Sequence, residues 1–174
     1  MDYALTTRRL GLRRYTPADR DALREVFADA GAALFYPAMH EQAALERWIT
    51  WNLTNYEQHG FGLWALELLD SGRFIGDAGI TYQTVDCQQV LEIGYHVHPS
   101  LRAQGFATEA AQACLSHAFT ALNAEFVCSI VDPRNEPSLK VAGRLHAAQR
   151  EFEGKNGRML LFHTSTQQFA ARGR

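Results

Sequence analysis

Arg102-Ala103-Gln104-Gly105-Phe106-Ala107-Thr108-Glu109 is the stretch on which the fold turns. It follows the strand-like run Leu91-Glu92-Ile93-Gly94-Tyr95-His96-Val97 and opens a segment with apolar residues at Ala111, Leu115, Ala118 and Leu122, the spacing of one helix face. A strand therefore feeds a helix through a short loop. The first N–H groups of such a helix have no intrahelical partner and the macrodipole adds positive charge there, so the main chain can hold an anion. Gly105 and Ala107 keep the loop slim enough for a pyrophosphate to approach the backbone, while Arg102 offers a charged contact and Thr108 a hydroxyl. Two better-known phosphate loops are excluded. A Walker loop needs Gly-x-x-x-x-Gly-Lys-Ser/Thr and a dinucleotide fold needs Gly-x-Gly-x-x-Gly, and neither pattern is present.

The segment resembles the Arg/Gln-x-x-Gly-x-Gly/Ala loop of the Gcn5-related N-acetyltransferases (GNAT), preceded at the proper spacing by that family's fourth strand. Val131-Asp132-Pro133-Arg134-Asn135-Glu136-Pro137-Ser138 resembles the second motif, where a fifth strand ends at an asparagine and a helix begins. Leu5 to Arg13, Glu92-Ile93-Gly94-Tyr95, Ala107-Thr108-Glu109-Ala110 and the Asn-x-x-Ser motif are similar to the ribosomal-protein N-terminal acetyltransferase (RimJ/RimL-like) branch. The resemblance spans nearly the whole chain. It implies an α/β (α+β) fold with a mixed, mostly antiparallel sheet and helices on both faces. The parallel fourth and fifth strands splay apart, and the pantetheine arm of acetyl-CoA enters the gap. It further implies cofactor contacts from Arg102, Ala103, Gln104, Gly105, Phe106, Ala107 and Thr108, from the main chain of Tyr95, His96 and Val97, and from Asn135. The acceptor is less specified, because the branch also contains enzymes acting on small amines and antibiotics.

Acetyl transfer from a thioester to an amine requires an unprotonated nucleophile, stabilisation of an oxyanion and a proton for the leaving thiolate, and it needs no metal. An α-amine, with a reference pKa of about 7.7–8.0, needs less help from a base than a lysine at about 10.4. Glu92 is the first candidate, as base or as the group that positions the amine; its plainer reading is a solvated edge carboxylate. Asp86, His96 and His98 are weaker substitutes. Many relatives carry a tyrosine in the second-motif helix as acid for the thiolate, but here that position is Ala142. Ser138 matches the serine that takes the role, or bonds the CoA sulfur, in the ribosomal-protein branch; otherwise it supports the first helical turn. Asn135 is read both as an N-cap and as a pantetheine contact. The usual Leu-Gly-Phe at the helix end is Leu145-His146-Ala147, which puts a histidine where a left-handed cap is expected.

Composition narrows the function. At 174 residues, 47% hydrophobic and 21% charged, with a formal net charge of -2, the expectation is one soluble domain over residues 1–174 without a nucleic-acid partner. Cys87, Cys114 and Cys128 are widely spaced and lack a Cys-x-x-Cys pair, so reduced thiols are expected rather than a disulfide framework or a zinc site. His96 and His98 project to one strand face but lack a third ligand, so no metal is expected. No apolar run approaches the ~20 residues of a membrane span and the start lacks a signal pattern, which points to the cytoplasm. A homodimer is conceivable through edge strands.

The coarse element order reads β-α-α-β-β-β-α-β-α-β-β. Leu5 to Arg13 is one strand; a helix capped at Thr16 buries Leu23, Val26, Phe27 and Ala30; a second runs from Glu41 to Gln58. Hairpins follow at Phe61 to Leu69 with Arg73 to Gln83, and at Gln149 to Thr166 across Gly154-Lys155-Asn156-Gly157. Trp48, Trp51, Tyr56 and Trp64 are open between an acceptor pocket and core. The functional expectation is an acetyl-CoA-dependent N-acetyltransferase working in a ternary complex on a protein N-terminus, with a small amine as the alternative acceptor. The altered motif-two helix motivates a rival, an acyl-CoA sensor without turnover.

Overall fold

The computed structural model describes residues 2–154 and 157–172. Among them the strands are β1 (Tyr3–Thr6), β2 (Leu10–Arg13), β3 (Leu63–Leu68), β4 (Phe74–Val85), β5 (Gln88–Val97), β6 (Phe126–Val131), β7 (Ala148–Gly154) and β8 (Gly157–Ser165). The helices are α1 (Arg20–Val26), α2 (Ala30–Phe35), α3 (Gln42–His59), α4 (Phe106–Thr120), α5 (Glu136–Leu145) and α6 (Thr166–Arg172). The strands form one sheet in the order β1-β2-β3-β4-β5-β6-β8-β7. Every neighbouring pair is antiparallel except β5 with β6. The expected mixed sheet is therefore present.

Alternation along β4 decides which helices cover which face. Asp77 points toward α3, where it meets the indole of Trp48. Trp64, paired with Ala78 one residue on, points toward α4 and meets His117. Helices thus cover both faces, and one main core of buried residues joins them to the sheet. Leu45, Ile49, Asn52 and Tyr56 of α3 are buried as its spacing predicts, and Gly60 ends that helix at φ 80°, a conformation that costs glycine little.

Several boundaries differ from the sequence reading. The first strand is two, because residues 7–9 turn back to pair β1 with β2, which moves the parallel pair from fourth and fifth to fifth and sixth. The first helix stops at Val26, and Ala30, expected in its buried face, is exposed at the start of α2. Asp29 causes that restart by capping α2 through the Ala32 amide. The short helix α6 was missed altogether. The tip of the late hairpin, Lys155-Asn156, lies outside the described residues. No helix among the described residues is long and apolar enough to cross a membrane.

Candidate active site

The site begins where the parallel ladder stops. Strands β5 and β6 pair only at Leu91 with Val127 and Glu92 with Cys128, and beyond that they diverge. Side chains bridge the opening instead: Ser129 Oγ donates to the Ile93 carbonyl at 2.8 Å, and the Ile130 amide donates to Glu92 Oε1 at 3.3 Å. Backbone polarity alternates along β5. The His98 amide bonds Ile75 of β4, whereas the carbonyls of Ile93 and Val97 face the gap, the latter accepting from Arg102 Nε at 3.0 Å. Tyr95 and Val97 therefore present their main chain to the gap, and that of His96 faces β4, away from the contact expected of it.

The gap leads to the N-terminus of α4. Ala103 (φ 61°) and Gly105 (φ 83°) are both left-handed, turning the loop so that successive amides face one concavity. The Glu109 amide bonds the Gly105 carbonyl at 3.0 Å, so the amides of Phe106, Ala107 and Thr108 precede the first helical bond. A cavity of about 520 Å³ joins this loop to the gap, lined among others by Tyr95, Val97, Gly105, Thr108, Asn135 and Ser138. Gln104 is exposed and lies off that wall. The Phe106 ring is buried under the Arg9 guanidinium, 4.2 Å from its carbon, which leaves only its amide for an anion.

Two ion pairs stiffen the loop. Arg102 grips Asp29 with both terminal nitrogens, at 2.6 and 3.0 Å, so the residue expected to meet phosphate is also a strut between the loop and α2. Burial alone would raise the Glu109 carboxyl, but bonds from Thr7 Oγ1, Arg9 Nε and the Arg9 amide outweigh it and hold its pKa below the usual range. Arg9 also donates to the Gln104 carbonyl at 3.1 Å. The sequence reading missed Arg9, because only the folded turn between β1 and β2 brings it beside a loop almost a hundred residues away.

Asn135 caps α5, its Oδ1 accepting from the Ser138 amide at 3.3 Å, and it also stands on the cavity wall. Both readings of Asn135 thus have their geometry. The Ser138 hydroxyl makes no hydrogen bond among the described residues, while its carbonyl accepts from Tyr95 Oη at 3.0 Å. Burial pushes the Tyr95 phenol well up. A phenol from β5 thus reaches the helix turn that carries Ala142.

On the opposite face of the sheet, Glu92 is half-buried and off the cavity wall. Burial raises its carboxyl pKa, opposed by the Ile130 amide, by the nearby His96 and by the Thr81 hydroxyl at 3.5 Å. His96 is the centre of this face. Its Nδ1 lies 2.6 Å from Asp77 Oδ1 and its Nε2 2.8 Å from Tyr36 Oη, so both ring nitrogens are engaged. His98 instead bonds Ser100, and Asp86 pairs with Arg150 at an exposed turn. Of the aromatic candidates, Trp64 and Tyr56 are core. Trp48 donates to Asp77 Oδ2 at 2.9 Å, and Trp51 is 39% exposed beside it.

His146 corrects one expectation. Its backbone is extended (φ -100°, ψ 162°) rather than left-handed, so glycine is not needed there. Its ring is buried and bonds Thr164 Oγ1 at 3.1 Å and Ser129 Oγ at 3.0 Å. Since Ser129 gives its proton to Ile93 and Thr164 Oγ1 accepts the Ala147 amide, the ring donates from Nε2 and accepts at Nδ1. Burial, aided by Arg172, depresses its pKa to about 3.

Comparison with known proteins agrees with this architecture. Residues 9–148 match the acetyltransferase (GNAT) domain family. The chain is 32% identical to YkkB of Bacillus subtilis over 142 residues, 81% of this chain and 83% of YkkB. An acetyltransferase from Agrobacterium tumefaciens superposes with a TM-score of 0.78 at 26% identity, over 91% of this chain and 92% of that one. RimJ of Mycobacterium smegmatis, solved in complex with CoA-disulfide, superposes at 0.65 with 22% identity, over 95% and 90%.

Proposed function

The chain belongs to the acetyltransferase (GNAT) family, and from that premise we propose that it moves the acetyl group of acetyl-CoA onto a primary amine by direct attack in a ternary complex. A protein N-terminal α-amine is the acceptor we favour. The observation that carries the reading is the open gap between β5 and β6 running into the amide-lined loop at α4. A pyrophosphate has unpaired N–H groups at Phe106 to Thr108, and a pantetheine arm has the main chain of Tyr95 and Val97 to pair with.

The gap passes through the sheet, so the thioester is offered to the face that carries Glu92 and His96. With its oxygens already accepting from Ile130 and Thr81, Glu92 fits the positioning role, its charge drawing the ammonium in. The Val97 amide, on the gap side of β5, is the donor we assign to the developing oxyanion. Ser138, on the cavity wall, meets the leaving sulfur; a thiol of reference pKa about 8.5 leaves without much help. Direct attack is favoured because burial pushes the Cys114 thiol up to about 12 and Cys128 higher still, and the exposed Cys87, in the turn between β4 and β5, lies off the cavity wall.

The test is thiol release from acetyl-CoA against N-terminal peptides, spermidine and kanamycin, with mass detection of the product. Peptide acetylation supports the full reading. A hit on small amines alone moves the acceptor, and acetyl-CoA binding without release on any amine overturns transfer in favour of sensing.

A further inference from the structure

Tyr36, His96 and Asp77 form a hydrogen-bonded chain from the cavity wall into the core, and no role assigned so far uses it. Asp77 is fully buried and accepts three bonds, from Tyr15 Oη at 2.7 Å, Trp48 Nε1 at 2.9 Å and His96 Nδ1 at 2.6 Å. With Tyr15 and Trp48 also donating to it, the buried carboxylate accepts from Nδ1 and so fixes the imidazole as the Nδ1–H tautomer. Nε2 is then an acceptor, and the phenol at 2.8 Å is its donor. Tyr36 therefore aims its proton inward, leaving the oxygen's other lone pair for a group in the cavity it lines. Phe27, just past the end of α1, and Trp48 of α3 pack on the imidazole at 5.1 and 5.5 Å between ring centres. The remaining ionisable group facing His96 is Glu92, four residues back on the same strand face.

We propose that this chain is the proton acceptor for the amine: Tyr36 touches the nucleophile, His96 stores the proton, and Asp77 positions His96. The inference rests on the acetyltransferase reading. As the amine nitrogen bonds the thioester carbon, its N–H bond breaks and leaves the electron pair on nitrogen. That proton passes to Tyr36 Oη while the phenol's own proton moves to His96 Nε2. An imidazolium results, flanked by the Asp77 carboxylate. When the C–S bond breaks, the thiolate takes a proton from solvent and His96 returns one to solvent, so amine and thioester become amide and thiol. Burial pushes the Tyr36 phenol well above its ordinary pKa, so it hands on a proton rather than holding a charge.

The chain is tested with and without turnover. In the acetyl-CoA-free protein at pH 8, 15N-histidine NMR should show His96 as the Nδ1–H tautomer, with both nitrogen shifts moved by Tyr36→Phe; an Nε2–H tautomer would overturn the proposal whatever the acceptor. With the best amine of the peptide, spermidine and kanamycin panel, Tyr36→Phe and His96→Gln should each lower kcat/KM about 100-fold. The double variant should lose no more, because the two act as one unit. Acetyl-CoA Kd should stay unchanged in all variants. Normal rates in Tyr36→Phe beside an active wild type would sink the relay and leave the transferase reading standing. An inactive wild type would instead count against that reading, with the tautomer still deciding the chain.

Discussion

Ser129 Oγ reaches across the gap between β5 and β6 to the Ile93 carbonyl at 2.8 Å, and the same oxygen is held from behind by His146 Nε2 at 3.0 Å. A ladder bond that the diverging strands cannot make is replaced by a side chain, and a buried histidine orients that side chain. The opening is thus a built feature of the sheet. Ser129→Ala should strand both the carbonyl and the imidazole N–H in a dry interior, at about 1–3 kcal/mol each. Urea unfolding should show the loss; a variant within ~0.5 kcal/mol of the wild type would mean that water replaces the hydroxyl.

His146 makes stability depend on pH. Its folded pKa, about 3, lies below the ordinary ~6.5, so between those values the unfolded chain binds the extra proton. The stabilisation is complete above about pH 6.5 and drains away as pH falls toward 3, at up to about 1.4 kcal/mol per pH unit. His146→Gln should be less stable than the wild type at pH 7, and the difference should shrink at pH 4.5. Parallel stability curves for the two proteins would contradict this account.

Gly105 stands at φ 83° as the residue before α4, and a Cβ there would come within 3.4 Å of Arg9 Nη2. Gly105→Ala should cost about 1–2 kcal/mol of loop strain, because Arg9 is tied to Glu109 and Gln104 and has little room to move. Calorimetry should find acetyl-CoA binding weakened about tenfold with the fold intact. Unchanged affinity would remove the loop from the binding account.

For Glu92 the effects on function and stability have opposite signs. Its folded pKa is raised by burial, so the folded chain holds the proton more tightly and stability falls as pH rises from about 4.5 through the folded value. Glu92→Gln should therefore gain in stability relative to the wild type as pH rises above about 4.5. Positioning of the ammonium should suffer: the acceptor KM should rise while the acetyl-CoA KM holds. A collapse of kcat with the acceptor KM unchanged would return Glu92 to the role of base.

The architecture was legible where physics is local. The strand-loop-helix at Leu91 to Glu109, the cap at Asn135 and α3 with its glycine stop follow from periodicity, orphan amides and backbone freedom, and they stand close to where the sequence put them. What escaped depends on contacts distant in sequence. Arg9 meets Glu109 only after β1 and β2 fold back, and Arg102 meets Asp29 only once α2 is capped. The Tyr36–His96–Asp77 chain joins two strands and the turn after α2, and no spacing encodes it. One signal was present: Asp77 interrupts the apolar run Phe74-Ile75-Gly76-Asp77-Ala78-Gly79-Ile80, and a carboxylate in a central strand requires buried donors. His146 looked like a departure from a cap and is a hydrogen-bonded core residue, because α5 ends in an extended conformation.

The most direct test of the central claim is release of free CoA thiol from acetyl-CoA by the purified wild-type chain, offered peptides, spermidine and kanamycin at pH 8, with the product weighed. The account expects an amine product heavier by one acetyl group and one thiol released per product. Tight acetyl-CoA binding with no thiol release on any amine would contradict it.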